Sequence, residues 1–359
     1  MHYTRLGNTG LFVSRFAFGT MTFGSDPRFP GVAKVDLDAA KAMIDRAFDS
    51  GINFFDTADG YSGGESEAYL GQFLGARRKD VVVATKVGFR AGEAITQAGL
   101  SRRHIFEACD SSLKKLSTDW IDLYIVHKVD SFTPFEETLD ALNDLVRAGK
   151  VRYLGFSNWP AWQAASALAI QKERGWAQFT SGQMYYSLLT RDLEHEFVPL
   201  LRATGTGMTV WSPLAGGFLS GKYTRESFRD QEREKEKGHR LASFDFIPFD
   251  KELGFRVVEK LREIGRAHAA SVAQIALAWL LAKPFVTSVI LGATKMAQLE
   301  DNLQAMEVKL LDSEIAALDQ MTAPPVQYPG WFIARLTDPK QQEALSPNPA
   351  ALAAGASGS

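Results

Sequence analysis

The chain has 359 residues, 45% of them hydrophobic and 23% charged, enough for one large core or two medium ones. Lysine plus arginine total 40 against 42 aspartate plus glutamate, and this net charge of -2 leaves no basic excess of the kind that nucleic-acid binding requires. A lone cysteine, Cys109, excludes an intrachain disulfide and a thiolate metal cluster, so the expected compartment is the cytoplasm.

The opening, MHYTRLGNTG, is too polar for a secretory signal peptide and predicts a short hairpin, residues 3–6 and 11–13 around a Gly-Asn-Thr-Gly turn. Short apolar segments then alternate with helix-period segments. The expected strands are 16–20, 53–57, 81–87, 123–127, 153–157, 181–185, 208–212 and 288–291. Eight strands with helical patterns between most of them predict parallel βα units. Val81, Val82 and Val83 run on without alternation, as a strand buried on both faces does.

Between these strands the helix signals are specific. Ser101 is placed to cap a segment in which Ile105, Ala108, Cys109, Ser112, Leu113 and Leu116 keep helical spacing, which puts Cys109 on the apolar face as a packed thiol. Residues 133–149 form another such unit, with Pro134 in the first turn, Glu136 and Glu137 after it and Gly149 as the stop. The longest apolar run, 272–282, contains Gln274 and is far shorter than the roughly 20 residues of a membrane span. It is expected to be a buried helix, and no membrane partner is expected.

Two segments break the alternation. Residues 225–250 form an insertion with a dense mixed-charge centre, RDQEREKEKGHR, expected as a solvated loop or short surface helix, with a substrate lid as the sharper option. Beyond Leu336 the chain turns to Pro, Ala, Gly and Ser, so 1–336 is expected as a single domain and 337–359 as a largely disordered tail.

The chemistry gathers around residues 51–71, GINFFDTADGYSGGESEAYLG, where an apolar strand leads through a glycine-loosened turn into a helix carrying Glu65 and Glu67 in its first turn, a placement suited to the helix dipole. Asp56 ends that strand and Tyr61 lies in the turn; Lys86 ends VVVATK and His127 ends LYIVH. A barrel or open α/β sheet keeps its chemistry at such strand ends. Each residue alone has an ordinary structural reading, as a turn cap or a core histidine. A lysine ending a valine-rich strand is costly to bury without a partner, and Asp56 supplies one. An adjacent ammonium makes a phenol a better acid than its reference pKa of about 10 implies, and a neutral imidazole can orient a carbonyl oxygen. The group suits protonation of an oxygen whose carbon receives a hydride. There is no H-E-x-x-H and no cysteine cluster, so no metal is expected.

FDTADGY with GESE, ATK, DLYIVH, GFSN, WSPLAGGFLSGKY and ILGATKMAQLEDNL, in this order, closely resemble the aldo-keto reductase superfamily over about residues 3–322. The resemblance implies a (β/α)8 TIM barrel with an N-terminal hairpin plug, NADPH-dependent carbonyl reduction, and a catalytic tetrad of Asp56, Tyr61, Lys86 and His127. The charged insertion looks like the long loop after the seventh strand of many bacterial members and of the potassium-channel β subunits.

The same resemblance implies the cofactor contacts. Thr20, Met21 and Asp56 match the nicotinamide ribose side; Ser157, Asn158 and Gln183 match the residues that hold the carboxamide, and Trp211 the aromatic that stacks on the ring. Ser212, Pro213, Leu214, Gly216, Leu219, Gly221 and Lys222 match the pyrophosphate loop. Gly292, Ala293, Thr294, Lys295, Gln298, Asp301 and Asn302 match the adenosine and 2'-phosphate end, with Lys295 at a helix N-terminus. Phe23, Phe89, Trp159 and Trp331 are candidate pocket walls, with core packing as their alternative.

Gly216 to Lys222 also fits the opening of a P-loop, but Tyr223 stands where a magnesium-binding Ser or Thr belongs, and no G-x-G-x-x-G is present. A nucleotide-sensing binding subunit with little turnover is the alternative reading, since the channel-associated relatives share the motifs. Sugar-derived aldehydes, aromatic aldehydes, small diketones and bulky polycyclic ketones all remain open as substrates.

Overall fold

The computed structural model describes residues 1–27, 31–228, 241, 247–336 and 338–341. Most of the charged insertion and the end of the tail lie outside the described residues, and with them the expectations of a lid and of disorder.

Eight parallel strands close into a barrel in chain order: β3 (Phe16–Gly19), β4 (Phe54–Asp56), β5 (Val82–Val87), β6 (Ile121–Val126), β7 (Val151–Ser157), β8 (Phe179–Tyr185), β9 (Gly207–Trp211) and β10 (Ser288–Leu291), the last pairing back onto β3. Each falls on one of the expected segments. The architecture is a (β/α)8 TIM barrel, preceded by an antiparallel hairpin of β1 (Tyr3–Arg5) and β2 (Phe12–Ser14).

Period-two alternation sorts the strand residues into two cores. Ala17, Phe54, Val82, Ala84, Leu123, Ile125 and Ile290 fill the barrel, and Leu6 and Val13 of the hairpin join them as its plug. Phe16, Phe55, Val83, Tyr124 and Val126 face outward into the larger core beneath the helices. The valine run lacks polar alternation because both of its faces are buried. Gly7 lets the hairpin close on the barrel floor: at φ +56° it brings its backbone so near that a Cβ would meet the Thr180 carbonyl at 2.5 Å and the Gly207 nitrogen at 2.6 Å.

The outer layer comprises α1 (Leu37–Asp49), α2 (Glu65–Leu74), α3 (Arg102–Lys115), α4 (Phe135–Arg147), α5 (Ala161–Arg174), α6 (Phe197–Thr204), α7 (Lys251–His268), α8 (Val272–Leu281), α9 (Met296–Gln304), α10 (Asp312–Met321) and a short α11 (Gly330–Arg335). Ser101 caps α3 by accepting from the His104 amide, and Ser271 with Gln274 forms a capping box on α8, the apolar run of the sequence. Cys109 is buried on α3, where burial pushes its thiol up to about 12. No described helix is by itself long and apolar enough to cross a membrane.

Candidate active site

The strand β4 stops at Asp56 and hands its chain to the next strand: the Thr57 amide donates to the Ala84 carbonyl at 2.9 Å, and the Asp59 amide to the Lys86 carbonyl at 3.3 Å. Tyr61 then opens a tight turn in which Ser62, Gly63 and Gly64 all have positive φ, 49°, 62° and 101°. Three left-handed residues in a row swing the chain from the barrel mouth into α2, which explains the glycines here.

Lys86 is wholly buried, and its Nζ finds three acceptors: Asp56 Oδ1 at 2.6 Å, the Thr57 carbonyl at 2.7 Å and the Tyr61 hydroxyl at 3.3 Å. An ammonium has three protons, so all are used. Burial alone would lower the lysine's pKa, but the Asp56 carboxylate and the Tyr61 oxygen outweigh it and hold the ammonium above its ordinary value. The second oxygen of Asp56 accepts from Gln183 Nε2 at 2.7 Å, so one carboxylate ties β4 to both β5 and β8.

His127 stands edge-on to the Tyr61 ring, with centroids 5.7 Å apart, and edge-on to Phe89 at 4.5 Å. Burial first, then the Lys86 and Lys128 charges, hold its imidazole well below the usual histidine range, so it is neutral. Its Nδ1 has no hydrogen-bond partner among the described residues. The four side chains expected from the strand ends are thus assembled at one mouth.

The other expected positions divide. Asn158, left-handed at φ +58°, donates from Nδ2 to the His127 carbonyl at 3.1 Å and to Ser157 Oγ at 2.9 Å, and accepts from Trp211 Nε1 at 3.0 Å. Ser157 Oγ donates to the Gln183 carbonyl at 2.7 Å. The loop after β9 is a glycine turn in which Ser212 Oγ accepts from the Gly216 amide at 3.0 Å, with Gly216 at φ +67° and Gly217 at +93°. Pro213 and Leu219 are buried beneath it, and the Leu219 amide donates back to the Leu214 carbonyl. Gly221 ends the turn at φ +75°, and exposed Lys222 lies with its Nζ 3.5 Å from where a Cβ on Gly217 would be. Lys295 is exposed at the N-cap of α9 beside exposed Gly292, and Thr294 donates to Gln298 Oε1. Ala293 and Asn302 are buried, and the Ala293 carbonyl accepts from Thr22 Oγ1 at 2.7 Å. Met21 is half-buried.

Two expected cofactor contacts serve the protein itself. Asp301 accepts from Ser271 Oγ and Gln274 Nε2 at the start of α8. Thr20 Oγ1 is 2.7 Å from Ser66 Oγ, which is also 3.0 Å from Thr57 Oγ1 and donates to the Thr20 carbonyl. Ser66 is a positioning residue that sequence reasoning missed, because an ordinary serine in GESE carries no signal of its own.

The aromatic candidates part in the same way. Phe89 is 43% exposed and covers His127, whereas Phe23 and Trp159 are buried in the core. Phe23 packs on Phe18, and Trp159 lies among Phe135, Phe156 and Phe179. For these two the structure matches the alternative reading, core packing, with their large apolar area lying between barrel and helices. Trp331 lies on exposed α11 among Tyr328, Phe332 and Arg335. Among the described residues no group of three or more His, Cys, Asp or Glu is arranged to hold a metal.

Residues 15–323, from the edge of the first barrel strand to just past α10, match the model of the aldo/keto reductase family. The chain is 38% identical over 322 residues to the "Probable voltage-gated potassium channel subunit beta" of Oryza sativa subsp. japonica, covering 88% of this chain and 94% of that one. It is 39% identical over 332 residues to the "Uncharacterized oxidoreductase YrpG" of Bacillus subtilis (strain 168), covering 88% and 94%. To the "Versiconal hemiacetal acetate reductase" of Aspergillus parasiticus it is 32% identical over 350 residues, covering 92% and 99%. On a match of this extent, carried by this barrel, the chain belongs to the aldo/keto reductase family.

Proposed function

We propose that the chain reduces an aldehyde or ketone to an alcohol with NADPH, and that Tyr61 donates the proton. One observation carries this reading: a buried ammonium, Lys86, bonded at once to Asp56 and to the Tyr61 hydroxyl. The ammonium stabilises developing phenolate, so Tyr61 becomes an acid competent near neutral pH, and Asp56 keeps Lys86 charged and aimed. Neutral His127 orients the carbonyl oxygen towards the phenol without competing for its proton.

The donor set suits a nicotinamide dinucleotide. Asn158, whose Nδ2 protons go to the His127 carbonyl and Ser157 Oγ, keeps an Oδ1 lone pair for a carboxamide N–H, Trp211 offers a ring for stacking, and the Gly216–Gly217 turn with Lys222 a cradle for pyrophosphate. Gly292 leaves open space beside Lys295, since a Cβ built there meets nothing within 4 Å. When bound, the reduced nicotinamide supplies a hydride to the carbonyl carbon; the π electrons move to oxygen, and the oxygen takes the Tyr61 proton. Lys295 is read as the contact for the 2'-phosphate and hence for NADPH over NADH.

The test is a panel of aldehydes and ketones with NADPH oxidation followed by absorbance. Turnover that is lost in Tyr61→Phe, with NADPH binding retained, supports the reading. A second reading is favoured by the relatives named as channel β subunits: a nucleotide-sensing binding subunit. Tight NADPH binding with no turnover across the panel selects it.

A further inference from the structure

Behind Lys86, in the layer between the barrel and the helices α2 and α3, lies a second set of acids that the proposed reduction does not use. Asp59 sits two residues before Tyr61 and is only 4% exposed. Neither of its oxygens has a hydrogen-bond partner among the described residues, although the Gly60 amide leans towards it. Glu67 on α2 is fully buried and better supplied: Thr85 Oγ1 donates to its Oε1 at 2.6 Å, the Ser112 hydroxyl approaches it, and Lys115 Nζ lies 3.7 Å from Oε2. The Tyr124 hydroxyl on β6 is buried with no hydrogen-bond partner among the described residues, within electrostatic reach of both acids and of Cys109 and Asp110 on α3.

We propose that Asp59 and Glu67 form a buried two-carboxyl proton site, in which Asp59 keeps the proton and Glu67 the charge, and that loss of this proton weakens Tyr61 as an acid. Asp59 is then a positioning residue for protonation, acting through Lys86. Two carboxyls in one apolar layer do not both ionise without cost, and the proton goes to the one with fewer donors. Burial and then the Glu67 charge push the Asp59 carboxyl up to about 7, while Lys115 and Lys86 pull it down. Glu67 is raised by burial against the pull of Thr85, Ser112 and Lys115, so the two titrate as a pair. Lys86 favours ionised Asp59, and by reciprocity that charge offsets part of the ammonium's hold on phenolate.

The effect on turnover rests on the proposed role of Tyr61; the proton site does not. The test therefore has two arms on the full chain. Carbon-13 NMR of the aspartate carboxyls, with Asp59→Asn as the assignment control, is expected to show Asp59 titrating near neutral pH, with a lower midpoint in Glu67→Gln. An Asp59 carboxyl ionised throughout, or a midpoint unmoved by Glu67→Gln, overturns the site. In the second arm, reduction by the parent should fall about two- to fivefold as pH rises through neutrality, and Asp59→Asn should flatten that fall. A parent-like fall in folded Asp59→Asn overturns the positioning role. A parent with the titration but no turnover retires the reductase reading and leaves the proton site standing.

Discussion

Asn158 donates its side-chain amide to the main-chain carbonyl of His127 at 3.1 Å, and so joins the end of β7 to the end of β6. The same amide accepts from Trp211 Nε1 at 3.0 Å. One side chain therefore links the Trp211 indole at the end of β9 to the backbone of the imidazole beside Tyr61. A left-handed φ of +58° makes this reach possible, and asparagine tolerates it better than most residues.

Asn158→Ala should consequently weaken cofactor binding and turnover together. Asn158 is itself exposed, and loss of a hydrogen bond or two there is worth about 1–3 kcal/mol, so kcat/KM should fall roughly ten- to a hundredfold. Steady-state kinetics with NADPH as the varied substrate checks this; a variant with parent kinetics would show that the amide is only a strand-end tie.

Within the tetrad the prediction concerns division of labour. Tyr61→Phe removes the acid and keeps the ring edge against His127, so reduction should drop about 10²–10⁴-fold while NADPH affinity stays near the parent value. Lys86→Met should also impair turnover, and the double variant should be scarcely worse than the worse single one, since the two groups act as a unit. His127 is held neutral, so the rate should show no step from it near its ordinary 6.5.

Lys295→Ala tests the cofactor reading separately from the chemistry. Its ammonium is exposed at the start of α9, where a phosphate is also met by the helix N-terminus. Loss of a charged contact should raise the KM for NADPH roughly tenfold and leave that for NADH nearly unchanged. Equal efficiency of the parent with both cofactors would refute the assignment of the 2'-phosphate.

The barrel was legible because its strands are short, apolar and separated by capped helices; every one of the eight expected segments lies on a strand. Asp56, Lys86 and His127 were legible because polar residues ending apolar strands are conspicuous, and Tyr61 because of the glycines around it. Other features depend on packing that no local pattern records. Glu67 reads as an ordinary first-turn carboxylate, yet it is fully buried against Thr85. Asp301 fits a family motif, yet its carboxylate holds Ser271 and Gln274. Trp159 and Phe23 illustrate the same limit, since an aromatic near a strand end has no sequence mark to say which side it faces.

The buried acid pair also predicts how stability depends on pH. Asp59 has an ordinary carboxyl value of 3.8 in the unfolded chain and about 7 when folded. Between these values the folded state holds a proton that the unfolded state has lost, so this group's contribution declines as pH rises through the window and is constant above it. Asp59→Asn removes the titration. Its Tm relative to the parent should rise by a few degrees between about pH 5 and about pH 8. A difference that is flat or falls over that range would show Asp59 ionised at little cost.

The last prediction concerns Gly71, which closes the GESEAYLG segment on α2. A Cβ built there would lie 2.5 Å from the Leu116 carbonyl carbon and 2.6 Å from its Cα and oxygen. These are backbone atoms just past α3, so no rotamer change relieves the clash, and α2 must move away from α3. Such overpacking costs about 1–3 kcal/mol. The same helix carries Ser66, which holds Thr20 and Thr57 beside the tetrad, and Glu67, which meets Thr85. Gly71→Ala should therefore lower Tm by several degrees and also lower kcat, though the residue touches no reacting group. Gly63→Ala is the control: a Cβ there meets nothing within 4 Å, but its φ is +62°, so its cost is backbone strain without displacement of α2. If Gly71→Ala matches the parent in both Tm and kcat, the close approach of α2 to Leu116 is not what holds Ser66 in place.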